Sequence, residues 1–198
     1  MAVLKIRYDS MDRYKEDLIN EKQKLYKAGK KKMNYYVLFC QSLKIEKLYQ
    51  TFNLKKDTEA FIPRMEKYIR SKDKIVMQNM FPGYLFIKTN MDQTEFDTLL
   101  LLMKEERDGV IRELKKEEVS ALTKEEIKLL DILLNEQYIL VMSKGYKVNG
   151  RTKIIEGPLK ELEEYIVAVD KKSHEAVLNI EFLNKKLKAG IEMQNNEV

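Results

Sequence analysis

The chain has 198 residues and a mass of 23.5 kDa, with 44% hydrophobic and 35% charged side chains, which excludes wholesale disorder and suits one domain or two small ones. Its apolar runs, such as Tyr35 to Cys40 and Leu99 to Met103, are far too short to cross a bilayer, and no secretion-type apolar stretch opens the sequence. The single cysteine, Cys40, excludes an intrachain disulfide and fits a reducing cytoplasm; the net charge of +5 sits in residues 1–33, which carry ten basic against five acidic groups.

Within residues 8–32, Met11, Tyr14, Leu18 and Leu25 recur at helical spacing on a charged background, predicting an amphipathic N-terminal helix. Tyr35 to Cys40 is a continuous apolar and aromatic run suited to a central strand buried on both faces. Ser42 is the expected N-cap of a helix carrying Ile45, Leu48, Tyr49 and Phe52. Ala60 to Arg70 and Lys74 to Met80 read as a hairpin around Ser71-Lys72-Asp73, with Pro63 marking an edge or a bend. After the Phe81-Pro82-Gly83 break comes a strongly apolar strand, Tyr84 to Lys88. Asp92 with Glu95, and Thr123 with Glu126, are capping boxes that open two more helices, separated by a short strand from Val110 to Leu114.

From about Asn135 the texture changes. Short β-prone stretches at Tyr146–Val148, Lys153–Ile155, Tyr165–Val169, Ala176–Phe182 and Lys186–Ile191, punctuated by Gly145, Gly150 and Gly157, predict a small barrel. Ser173 and His174 fall at a hairpin tip. The expected fold class is α+β: an antiparallel-dominated sheet with helices, then a small SH3-like β-barrel, preceded by an extra N-terminal helix. The divisions are a helical extension (1–32), an α+β domain (33–137), a short linker (138–143), a barrel (144–193) and a polar tail (194–198).

No catalytic constellation emerges. His174 is the only histidine and lies in a different predicted domain from Cys40, metal-ligating clusters are absent, and no phosphate loop occurs. The stronger signal is aromatic. Tyr35, Tyr36, Phe39, Phe81, Tyr84 and Phe86 lie on two segments that read as neighbouring strands, where alternate residues such as Tyr84 and Phe86 share a face. A sheet covered by helices on one side only would leave those rings as a binding surface; the alternative is ordinary core, which suits Tyr36 and Leu85.

Tyr35-Tyr36-Val37-Leu38-Phe39-Cys40, Phe61-Ile62-Pro63 and Phe81-Pro82-Gly83-Tyr84-Leu85-Phe86, closed by Leu122-Thr123-Lys124-Glu125-Glu126, resemble the N-terminal (NGN) domain of NusG-type transcription factors. Gly145 through Gly157-Pro158-Leu159 to Val169-Asp170 is similar to a KOW motif. Residues 60–86 and 144–183 most resemble the LoaP group of specialised paralogues. Two departures stand out: Tyr35 replaces the family's usual tryptophan, and Glu161 and Glu164 replace glycines, which suggests a wider loop after Pro158.

The resemblance implies a monomeric binding protein that needs no cofactor or metal. It implies an NGN domain that grips the clamp helices of the largest RNA polymerase subunit through Phe39, Tyr84 and Phe86, with Phe81 and Pro82 shaping the strand entry. It further implies processive antitermination, with a structured leader RNA bound by the KOW domain, or contact of that domain with the ribosome or a termination factor. The basic residues available for nucleic acid are Lys147, Arg151, Lys153, Lys171, Lys172, His174, Lys185, Lys186 and Lys188; they form one patch if their loops converge. The competing reading is an RNA- or ribosome-binding KOW protein with no polymerase role.

Overall fold

Strand β1 (Asn34–Cys40) lies at the heart of a four-stranded sheet. In the computed structural model, which describes residues 33–115 and 122–194, its neighbours are β5 (Tyr84–Thr89) and β6 (Val110–Glu113), with β2 (Thr58–Phe61) beyond β5, giving the order β2-β5-β1-β6. β1 pairs antiparallel with both neighbours, so its apolar run is buried above and below as the sequence requires. The predicted N-terminal helix and the end of the tail lie outside the described residues.

One face of this sheet is closed by α1 (Ile45–Asn53) and α2 (Gln93–Leu102). Ile45, Leu48 and Phe52 of α1 meet Tyr36, Leu38, Cys40, Leu85, Ile87 and Phe96 in one buried cluster. Tyr36 stacks on Phe96 at 4.0 Å, and burial pushes the Cys40 thiol up to about 12. The capping box at Asp92 forms as expected, and the one at Thr123 opens α3 (Lys124–Leu133). The Ser42 cap does not form. The chain turns through residues 42–44 and enters α1 at Lys44, already helical in its dihedrals, so no side chain caps the helix.

Pro63 divides the predicted first hairpin strand in two. The segment before it, β2, joins β5, whereas β3 (Arg64–Ile69) leaves for a second sheet and pairs with β4 (Lys74–Asn79) around a 3-10 turn at Arg70–Lys72. Proline has no N–H to offer a ladder, and its carbonyl instead accepts from Met80 N at 2.8 Å. The expected linker is partly a strand as well: β7 (Ile139–Leu140) adds parallel to β3.

The C-terminal β-rich half consists of β8 (Ser143–Val148), β9 (Arg151–Glu156), β10 (Ile166–Asp170), β11 (Glu175–Phe182) and β12 (Lys185–Met193), in the order β10-β11-β12-β8-β9. Each of the five predicted stretches falls in or against one of these strands. After Pro158 the chain is compact: residues Pro158–Tyr165 form 3-10 turns that bury Leu159 and Leu162 and leave Glu161 and Glu164 in solvent.

The described residues from Asn34 onward form a single compact unit. The second face of the four-stranded sheet is covered by α3 and by the C-terminal half, in one buried cluster that runs from Tyr35, Val37, Phe61 and Phe86 through Leu130 and Leu133 to Leu178, Phe182 and Ile191. The expectation of a sheet face left bare is therefore corrected.

Candidate functional site

The aromatic residues of β1 and β5 fall into two groups. Phe39 and Tyr84 face each other across the ladder, with ring centroids 5.1 Å apart, and both remain partly exposed. Gly83 makes this pairing possible: at φ +83° it adopts a left-handed conformation, and a Cβ there would lie 2.9 Å from the Phe39 ring. Two cations flank the pair, the Arg112 guanidinium 5.9 Å from the Phe39 centroid and the Lys185 ammonium 5.9 Å from that of Tyr84. Pro82 is exposed at the strand entry.

Phe81 and Phe86 are only 3% and 0% exposed. Their cover is Phe182, at the end of β11, 5.2 Å from Phe81 and 6.3 Å from Phe86. The turn that follows, Leu183-Asn184, has both residues at positive φ, a conformation costly for a leucine, and packs Leu183 against the same cluster. A cleft of 220 Å³ remains between this turn and the sheet, lined by Val37, Tyr84, Arg112, Leu114 and Leu183. Of the residues expected to form an aromatic pocket, the structure leaves Phe39, Tyr84 and Pro82 accessible and covers Phe81 and Phe86.

A second group was not legible in the sequence. Tyr138, at φ 58°, stacks on Phe61 at 3.9 Å and donates its hydroxyl to the Glu59 carboxylate. Burial, then the Glu59 contact, pushes the phenol well above its ordinary pKa. The segment joining the two halves is thus fixed by a ring as well as by β7, and no local spacing announces a partner 79 residues away.

Along β3 the C-terminal half comes into close contact. Gly190 of β12 lies against the β3 backbone, where a Cβ would meet the Glu66 carbonyl at 3.0 Å and Met142 Cγ at 2.6 Å. The Glu66 carboxylate accepts from Met142 N at 2.7 Å. His174 places its ring 4.3 Å from that of Tyr68 on β3.

The basic residues of the C-terminal half do not gather at one end. Lys171, Lys172 and His174 belong to the β10–β11 turn, while Lys185 and Lys186 begin β12 at the opposite end of β11. Lys147 and Arg151 flank the β8–β9 turn. Lys153 pairs with Glu163 at 3.1 Å and Lys188 with Glu175 at 2.7 Å, so both are partly neutralised. The other Glu163 oxygen accepts from Ile154 N, and this bond, followed by Lys153, holds the carboxyl below its usual range. Among the described residues no cluster of three metal-ligating side chains occurs, and no helix is long and apolar enough to cross a membrane.

Residues 33–131, half of the chain, match the family model described as transcription termination factor nusG. No curated protein matches the sequence. A solved structure described as "Domain interaction in Thermotoga maritima NusG" is 16% identical, with a TM-score of 0.43 over 81% of this chain and 94% of that one.

Proposed function

For a chain that belongs to the NusG family of transcription factors, we propose a role as an RNA polymerase-binding elongation factor of the LoaP-like kind, which promotes processive antitermination at particular operons. Phe39, Tyr84 and Phe86 engage the clamp helices of the largest polymerase subunit, with Phe81 and Pro82 shaping the approach. The C-terminal half acts as a KOW domain and binds a structured leader RNA, which raises the local concentration of the polymerase-binding half near its site. It does so as a cytoplasmic monomer, by binding rather than by catalysis.

The observation that carries this reading is the Phe39–Tyr84 pair, two partly exposed rings between two cations on a sheet whose other side is closed by its own helices. Phe81 and Phe86 become available only when Phe182 moves away. Each buried phenylalanine contributes roughly 2 kcal/mol, so the free chain favours the covered arrangement, and polymerase must supply comparable apolar contact to displace it. Binding of the full chain to purified polymerase tests this. Tyr84→Ala, which removes a partly exposed ring, should weaken binding about tenfold or more with an unchanged circular-dichroism spectrum; polymerase retained at full affinity by Tyr84→Ala and by Phe39→Ala overturns the assignment.

The cover over Phe81 and Phe86 also favours a second reading, an RNA- or ribosome-binding protein with no polymerase role, in which those rings are permanent core. Addition of the full chain to a purified elongation complex separates the two. Unaltered pausing together with retained RNA binding supports the second.

A further inference from the structure

The Tyr68–His174 contact brings together two exposed turns from the two halves of the molecule. The β3–β4 tip carries Arg70 and Lys72 in its 3-10 turn and is held by Asp73, at φ 45°, whose carboxylate accepts from the Tyr68 hydroxyl at 2.7 Å. The β10–β11 turn carries Lys171 and Lys172. Its shape is fixed by Asp170, which accepts from Lys172 N at 2.8 Å, and by the His174 carbonyl, which accepts from Ile191 N at 2.9 Å. His174 sits at φ 52°, with its ring at 33° to that of Tyr68.

The charges at this junction are unequal. Arg70, Lys72, Lys171 and Lys172 are all exposed, and none makes an ion pair among the described residues. The two nearby carboxylates, Asp73 and Asp170, are already engaged in holding their own turns. Ile75 pairs with Tyr68 in the β3–β4 register, so the two share a face of the ribbon, and Ile75 is 54% exposed. Lys74 pairs with Ile69 and projects to the other face, outside this group. Exposed cations around an aromatic and apolar shelf are what a nucleic-acid strand requires: phosphates meet the cations, and unpaired bases meet the rings.

We propose that a single-stranded nucleic acid crosses this junction, with its phosphates on Arg70, Lys72, Lys171 and Lys172 and a base against Tyr68, His174 and Ile75. The inference rests on the nucleic-acid part of the proposed function and deepens it. Half of the site comes from the β3–β4 ribbon rather than the KOW-like half, and the site exists only while the two halves are packed together.

Fluorescence anisotropy with the full chain and a labelled 20-nucleotide single-stranded RNA, with DNA of the same sequence as a second probe, tests the proposal. The pairs Arg70→Glu with Lys72→Glu, and Lys171→Glu with Lys172→Glu, should each weaken binding about tenfold or more at moderate salt. Each pair should also flatten the slope of log affinity against log salt by about 0.7 per lost phosphate contact. Tyr68→Ala should weaken binding roughly fivefold or more through lost stacking, and Tyr68→Phe should not. All of these substitutions are at the surface or half-buried, and an unchanged circular-dichroism spectrum verifies the fold. A preference for RNA over DNA identifies a transcript as the source of the strand, and equal binding identifies the backbone alone; both support the site.

Normal binding by the Arg70/Lys72 variant with loss in the Lys171/Lys172 variant overturns the junction while leaving RNA binding by the C-terminal half intact. Failure of the parent chain to bind either strand overturns the junction, without touching polymerase binding or the binding of a structured leader RNA. Displacement of RNA by polyglutamate as effectively, charge for charge, as by unlabelled RNA overturns the proposal in favour of an acidic protein partner.

Discussion

Both faces of β5 are covered at their centre, and they differ in what covers them. Leu85 and Ile87 lie under α1 and α2, helices connected to the sheet by short turns and closed over it by Phe52 and Phe96. Phe86, between them in sequence, lies under α3 and under Phe182, which belongs to the far half of the chain. The first cover cannot leave without unfolding the sheet. The second is attached through a few residues around Tyr138 and β7. Burial alone therefore does not separate a core residue from a reserved contact; the path by which the covering side chain is connected does.

Substitutions can test that difference, beginning with the greatest expected loss. Phe96→Ala removes a ring stacked on Tyr36 in the helix-side cluster and should cost about 3–5 kcal/mol, with urea unfolding of the whole compact unit as the readout. Phe182→Ala should cost less, about 2–3 kcal/mol, because the C-terminal half can shift to relieve the void. It should speed amide exchange on the Phe81–Phe86 face and leave α1 and α2 protected, and polymerase affinity should rise. Equal exchange on both faces would show that the second cover is as permanent as the first.

Gly190→Ala sharpens the comparison without touching an aromatic ring. The added methyl meets the Glu66 carbonyl and Met142 and should destabilise the interface by about 1–3 kcal/mol; faster proteolysis between residues 134 and 143 is the check, with weaker RNA binding as a second readout. Thr123→Ala removes the cap of α3, an α-helix on the second face, for about 1 kcal/mol, measurable as a lower urea midpoint.

The smallest effect is one of pH. The Asp170 carboxyl is held below its usual range, first by the Ser173 side chain and then by Lys172 N–H. A depressed carboxyl stabilises the turn above its unfolded pKa, and that contribution is lost as pH falls through the folded value. Between about pH 4 and pH 2, amide exchange at Lys172 and Ser173 should accelerate while the helix-side core is unaffected.

Local signals were legible in proportion to how local their causes are. The β1 run, both capping boxes and all five C-terminal strands follow from neighbouring residues, and the structure contains them. Pro63 announced a bend, but not that β2 and β3 would part into different sheets, because that depends on distant partners in β5 and β7. That Tyr84 and Phe86 share a face followed from strand alternation; the pairing of Phe39 with Tyr84 across the ladder depends on register and did not. The cover by Phe182 did not, since an aromatic residue near a β-turn reads the same whether it faces its own barrel or another sheet. The same holds for Tyr68 with His174 and for Tyr138 with Glu59.

The two-residue strand β7 has a mechanical consequence. It supplies the ribbon of β3 and β4 with its third strand, anchored also by Arg64 N donating to the Tyr138 carbonyl at 3.0 Å. A lone pair of strands is marginal in water. Withdrawal of the C-terminal half would tug on that stitch, and if the stitch parted, the ribbon would fray from its tip. Departure of the cover would then be felt some distance away as a slackening of Arg70 and Lys72, so the tautness of one small ribbon would register whether the two halves are together.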